Sequence, residues 1–282
     1  AFTNASIVKD AQTTVQNATL LVRQGKIVAV GNNITIPKDA VIIDCSGKFI
    51  YPAFIDIYSD YGINVSNAQQ QNFTSAAAFF RTQQLTSGTK GAYGWNQALK
   101  PETEAYKIFT ADEAKAKALR DIGFGSVLTH QKDGIARGSG AFVTLAAQPD
   151  NFVILKDKAS AHYSFSKGSS SQSYPGSMMG MIALLRQTYL DAQWYKTNPV
   201  TEGVNLSLKN WNDNQSLPQI FEANDKWNDL RADKIGDEFG VQYIIKGGGN
   251  EYQRIKEITD SKASFILSLN YPAAMDVDDP ND

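Results

Sequence analysis

Few residues in this chain can carry chemistry. The 282 residues include two histidines, His130 and His162, and one cysteine, Cys45. Four titratable groups stand where an apolar, strand-like run gives way to a turn: Asp60, His130, Glu222 and Lys246. Glu222 or Asp60 can serve as a general base, with Lys246 as an electrostatic stabiliser. The same groups can equally neutralise one another, since a buried ammonium is held best by a carboxylate partner. His130 is a candidate base or a hydrogen-bond partner of Asp133. His162 lies in the alternating run Ser160–Ser166 and reads as a strand residue. Tyr58, Tyr61 and Trp95 are aromatic candidates for contacting a sugar or peptide. Two histidines and one cysteine are too few for a binuclear zinc site, so no metal ligand is assigned. No Gly-x-Ser-x-Gly elbow is present, and Cys45 sits in an apolar run, so no serine or cysteine nucleophile is indicated.

Composition restricts partners. Formal net charge is -2, and 42% of residues are hydrophobic. That balance implies neither nucleic acid nor an anionic membrane as a partner. No apolar run reaches the ~18 residues of a membrane span. The start, Ala1-Phe2-Thr3, lacks Met and a signal-peptide pattern, which implies that an upstream piece was removed. Export follows if that piece was a signal; otherwise the cytoplasm is expected.

The elements that must position these groups fall into two zones. Residues 1–50 read as short strands and turns: Ser6–Val8, Thr19–Val22, Lys26–Gly31, Ile34–Pro37 and Val41–Asp44, with Gly25 at a hairpin position of positive φ. The remainder alternates. Thr110 is an N-cap candidate for a helix over 111–121, followed by a strand ending at His130. Residues 74–85 are helix-forming and 87–96 a Gly-rich loop. Ala141–Leu145 and Phe152–Leu155 pair as a hairpin or extension. Met178–Tyr195 has the longest helical period, and 197–217 reads as irregular. From Leu217 the pattern is strand, helix, strand, helix, strand, which implies parallel βαβ units. Gly247-Gly248-Gly249 is a weak phosphate-loop signal. The stretch from Lys132 to Gly140 reads as a basic, solvated loop.

The motif at the start of the second zone is specific. Pro52-Ala53-Phe54-Ile55-Asp56-Ile57-Tyr58-Ser59-Asp60 resembles the first barrel strand of the amidohydrolase superfamily, Pro-Gly-Phe-Ile-Asp-x-His-x-His. Gly25-Lys26-Ile27-Val28-Ala29-Val30-Gly31 and Ala40–Lys48 resemble the preceding hairpin and strand of imidazolonepropionase-like members. Glu222-Ala223 and Lys246-Gly247 resemble two later strand ends. The resemblance implies an α/β fold: a small N-terminal β-sandwich unit (1–51) and a partial (β/α) TIM-type barrel (52–282) from the N-terminal part of a longer protein. It implies hydrolysis of non-peptide C–N bonds and, in the family, zinc. Carried over by position, Tyr58, Asp60, Glu222 and Lys246 all stand where the family has histidine ligands. The expectation is therefore a metal-free, degenerate module needing no cofactor of its own. The rest of the barrel is expected from a C-terminal segment or a second chain. Two alternatives stay open: a binding module for a sugar or peptide, and an active hydrolase with an Asp/Glu/Lys site.

Overall fold

The structure is a computed structural model that describes residues 1–63, 90–198 and 203–269. The helix expected over 74–85 lies outside these residues. The chain divides into two compact units, Ala1–Phe54 and Ile55–Asp282.

The first unit is a β-sheet. Strands β1 (Phe2–Val8), β2 (Thr14–Arg23) and β3 (Lys26–Gly31) form an antiparallel meander. Arg23 faces Lys26 across a two-residue turn. Gln24 (φ 52°) and Gly25 (φ 73°) both take the left-handed conformation that such a turn requires. Two short strands, β4 (Ile43–Asp44) and β5 (Phe49–Ile50), pair parallel with β1. The expected strand over Ile34–Pro37 does not form. The Pro37 carbonyl instead accepts from the Ala40 N–H at 3.1 Å, which turns the chain. Ala5, Ile7, Ala18 and Cys45 make the small core.

The second unit is mixed α/β around a seven-stranded sheet of order β12-β11-β10-β9-β8-β7-β6. Its strands are β6 (Phe54–Ser59), β7 (Phe124–Thr129), β8 (Ala136–Thr144), β9 (Ile154–Ser164), β10 (Gln219–Glu222), β11 (Tyr243–Lys246) and β12 (Ser264–Ile266). Strands β9 to β12 run parallel, with β10 matching Glu222 to Ser164 on one side and to Lys246 on the other. Strand β8 runs antiparallel to both β7 and β9. Strands β6 and β12 end the path, so the sheet is open among the described residues.

Local chemistry sets the helices. α1 spans Ala105–Ile108. α2 spans Glu113–Asp121 and is capped by Asp112, which accepts from the Lys115 N–H at 3.1 Å. Thr110 is not the cap: it lies two residues upstream of Asp112, and its N–H donates to the Gly62 carbonyl at 2.9 Å. α3 is Asp150–Val153, and α4 is Met178–Thr197 with Ser177 as cap. The Asn-rich segment expected to be irregular contains α5, Leu206–Asn214. Asn205 caps it, and Trp211 anchors it in the core. α6 (Lys226–Phe239) is bounded by Asp225, whose carboxylate accepts from Trp227 and Asn228 N–H groups, and by Gly240 at φ 68°. A 3₁₀ turn (Glu251–Arg254) leads into α7, Ile255–Ser261. No helix of the described residues is long and apolar enough to cross a membrane.

Two cores hold this unit. The larger sets Tyr163, Phe221 and Tyr243 from adjacent parallel strands against Leu185 and Tyr189 of α4 and Trp211 of α5. The smaller packs Tyr61, Phe109, Val127, Val143 and Leu145.

Candidate functional site

The strand ends converge on a guanidinium. Arg137, on β8 and only 4% exposed, donates to the Tyr58 hydroxyl at 2.8 Å and pairs with Glu222 Oε2 at 2.8 Å. Its Nε donates to the Gly134 carbonyl at 3.1 Å. Lys246 Nζ lies 3.9 Å from Glu222 Oε1 and donates to Asn224 Oδ1 at 3.1 Å. In-register pairing of β10 with β11 places Glu222 beside Lys246. Lys132 Nζ is 3.7 Å from Asp60 Oδ2. Lys132 and Lys246 also sit over the Tyr58 ring, 5.0 and 5.7 Å from its centroid.

Behind Tyr58 lie both histidines of the chain. The imidazoles of His130 and His162 stack face to face, with centroids 3.6 Å apart and planes within 4°. Tyr58 packs against His130 at 4.7 Å and His162 at 6.1 Å. Both histidines are buried. His162 Nε2 shares a hydrogen bond with Ser160 Oγ at 2.7 Å. His130 Nδ1 and Nε2 and His162 Nδ1 have no partner among the described residues.

Charge states follow from this packing. Burial holds both imidazoles well below the usual histidine range, and Arg137 and Lys132 reinforce the shift; His130 is lowered further by His162. Both rings are therefore neutral at pH 7. Burial works against ionising Glu222, but the charge and hydrogen bond of Arg137, with the Tyr58 hydroxyl and the Lys246 charge, together outweigh it and hold its carboxyl below the usual range. Tyr58 is pushed well up, first by burial, so its phenol stays protonated. Beyond Lys246, Asp229 is fully buried with neither carboxylate oxygen partnered. Burial, then the charges of Glu251 and Asp225, push it up to about 7.

The structure brings Tyr58, His130, Glu222 and Lys246 together with Asp60 at the rim, and it adds Arg137, Lys132 and His162. Arg137 belongs to the stretch expected to be a solvated loop. That stretch instead enters the buried strand β8, because Gly138 and Gly140 let it pass close to its neighbours. A Cβ at Gly140 would lie 2.6 Å from His162 Nε2. Two other candidates stand apart. Tyr61 is buried against Phe109 at 5.7 Å, and its hydroxyl bonds to Asp112, so it supports the fold and presents no surface. Trp95 stacks on Tyr174 at 5.9 Å beside a different recess. His130 does not meet Asp133, whose carboxylate is taken by Lys100 and Ser169.

The residues present do not fit a zinc pair. Glu222 is already neutralised by Arg137, the Tyr58 hydroxyl accepts from the same guanidinium, and Lys246 brings positive charge. Among the described residues no three of His, Cys, Asp and Glu gather as metal ligands.

No family model matches the sequence, and no curated protein matches it. Among solved structures, the chain is similar to an amidohydrolase from Thermotoga maritima MSB8, with 21% identity and a TM-score of 0.71. That match covers 95% of this chain and 69% of the other. A second amidohydrolase structure aligns with 15% identity and a TM-score of 0.43, over 95% of this chain and 65% of its own. The likeness to the Thermotoga structure shows an amidohydrolase-like fold.

Proposed function

We propose that this chain is part of an amidohydrolase-like hydrolase, of the class that cleaves non-peptide C–N bonds, in which the strand-end site of this stretch has lost its metal chemistry. Residues 1–51 serve as a β-sandwich unit and 52–282 as an incomplete (β/α) barrel. The remaining strands come from a C-terminal segment or a second chain. The parallel run β9–β12 and a match to 69% of the Thermotoga chain support this reading.

One observation carries it: the Arg137 guanidinium lies on Glu222 and on Tyr58. Two positions that the resemblance assigns to metal ligands are thereby committed to a cation, and a third, Lys246, is itself cationic. A dication there would have to displace Arg137 and face two lysines. A metal-free acid–base role for Glu222 is weaker, because its ion pair lowers its basicity.

Metal analysis of protein purified without chelator tests the proposal. The expected result is substoichiometric zinc, unchanged by His162→Ala. Near-stoichiometric zinc that His162→Ala abolishes overturns it.

A further inference from the structure

The chain has four tryptophans. Trp211 is buried in the larger core. Trp227 is 46% exposed and carries the Arg254 guanidinium 4.3 Å from its ring. The other two, Trp95 (52% exposed) and Trp194 (45% exposed), line one recess of about 330 Å³ between the loop before Leu99, α4 and α5. No cation covers either of them among the described residues.

The recess is held in shape from behind. Trp95 stacks on Tyr174 with planes 17° apart, and the Trp95 carbonyl accepts from Gln172 Nε2 at 3.0 Å. The Gly94 N–H donates to Ser207 Oγ at 2.9 Å, and the Leu206 N–H to the Ala92 carbonyl at 2.7 Å, which ties the loop to α5. Preorganisation of this kind lowers the ordering cost of binding.

Its charge is one-sided. Asp191, on α4, lines the recess and accepts from Gln187 Nε2 at 2.6 Å, yet no cation pairs with it among the described residues. Ser207, also in the lining, donates to Glu102 Oε2 at 2.8 Å, and Glu102 has no cation partner among them either. Lys100, two positions before Glu102, is committed to Asp133.

We infer that this recess is a binding site for a small organic cation of the alkylammonium type, held between the indoles of Trp95 and Trp194 and neutralised by Asp191. Indole faces attract a cation through the ring quadrupole, and a carboxylate that no cation pairs with supplies the countercharge. A neutral sugar would stack on the same indoles but would leave Asp191 unneutralised. The chain's own Trp227–Arg254 contact shows the same pairing satisfied internally. This inference stands on the recess alone and does not depend on the hydrolase reading.

Choline titration followed by ligand-observed NMR, at constant ionic strength, is the test. Saturable binding is expected, weakened about tenfold by Asp191→Asn and by Trp194→Ala, and unchanged by Trp227→Ala. Circular dichroism checks that each variant is folded. Absence of choline binding by the folded protein overturns the inference. So does equal loss in Trp227→Ala, which would mean that choline meets exposed indoles indiscriminately. Binding of a neutral disaccharide that matches choline and is insensitive to Asp191→Asn overturns it in favour of a sugar site.

Discussion

Arg137 changes the meaning of the residues around it. Positions 58, 60, 222 and 246 hold no histidine, and that much was legible from the sequence. The cation that Glu222 and Tyr58 meet was not legible. Arg137 lies in a glycine-rich run whose polarity suggests solvent, and only the approach of β8 to its neighbours shows that it is buried. The stacking of His130 on His162 was equally hidden, because the two are 32 positions apart and pair through three strands. That stack has a measurable cost in acid. A free histidine titrates near 6.5, and both of these titrate well below that. Between those values the unfolded chain takes up protons that the native state refuses, so stability falls as pH drops below about 6.5, by about 1.4 kcal/mol per pH unit for each histidine. His130 has no polar partner to lose. His130→Phe is therefore expected to make the decline between pH 6 and pH 5 shallower by one histidine's share, read from urea melts at several pH values.

At the scale of elements, β8 is the strand on which the site depends, and Gly138 is the residue that lets it lie there. Gly138 has φ 78°, and a Cβ on it would run into the Thr103 carbonyl. That carbonyl accepts from the Ser139 N–H at 2.9 Å, so it is not free to move. Gly138→Ala is expected to destabilise the fold by roughly 3 kcal/mol, combining left-handed strain with the clash, as read from the midpoint of a denaturant melt. The parallel run β10–β12 and the helices between its strands were readable from their period, and Asp225 and Gly240 bound α6 as cap and left-handed terminator. Helix α5 was missed because asparagines argue against helix, whereas here Asn205 is the cap and Trp211 supplies the anchor. The start of α2 lies two residues later than the sequence pattern places it, because Thr110 and Asp112 are both good caps and it is the Asp112 carboxylate that accepts from the Lys115 N–H.

At the scale of the whole molecule, each unit leaves apolar surface in water. In the first, Ile27, Val28, Val41, Ile42 and Phe49 are all more than half exposed. In the second, Ile55 is 52% exposed on the terminal strand β6. Side chains of this kind usually meet a covering partner. The folded protein is accordingly expected to enhance the fluorescence of a hydrophobic dye such as ANS at neutral pH, and Val41→Ser with Ile42→Ser is expected to reduce it. A signal no greater than that of a well-covered control protein would contradict this account of the surface.

The histidine stack also makes the protein its own reporter. With two histidines in 282 residues, the carbon-bound imidazole protons give four proton resonances, and all of them arise from one site. Rings 3.6 Å apart with nearly parallel planes shield one another's protons, and Tyr58 adds a ring current of its own. Those signals are displaced upfield from the free-imidazole positions and stay there while the stack is intact. Anything that parts the rings, whether a bound ion, a docked chain or a proton, moves them back in a spectrum that needs no label.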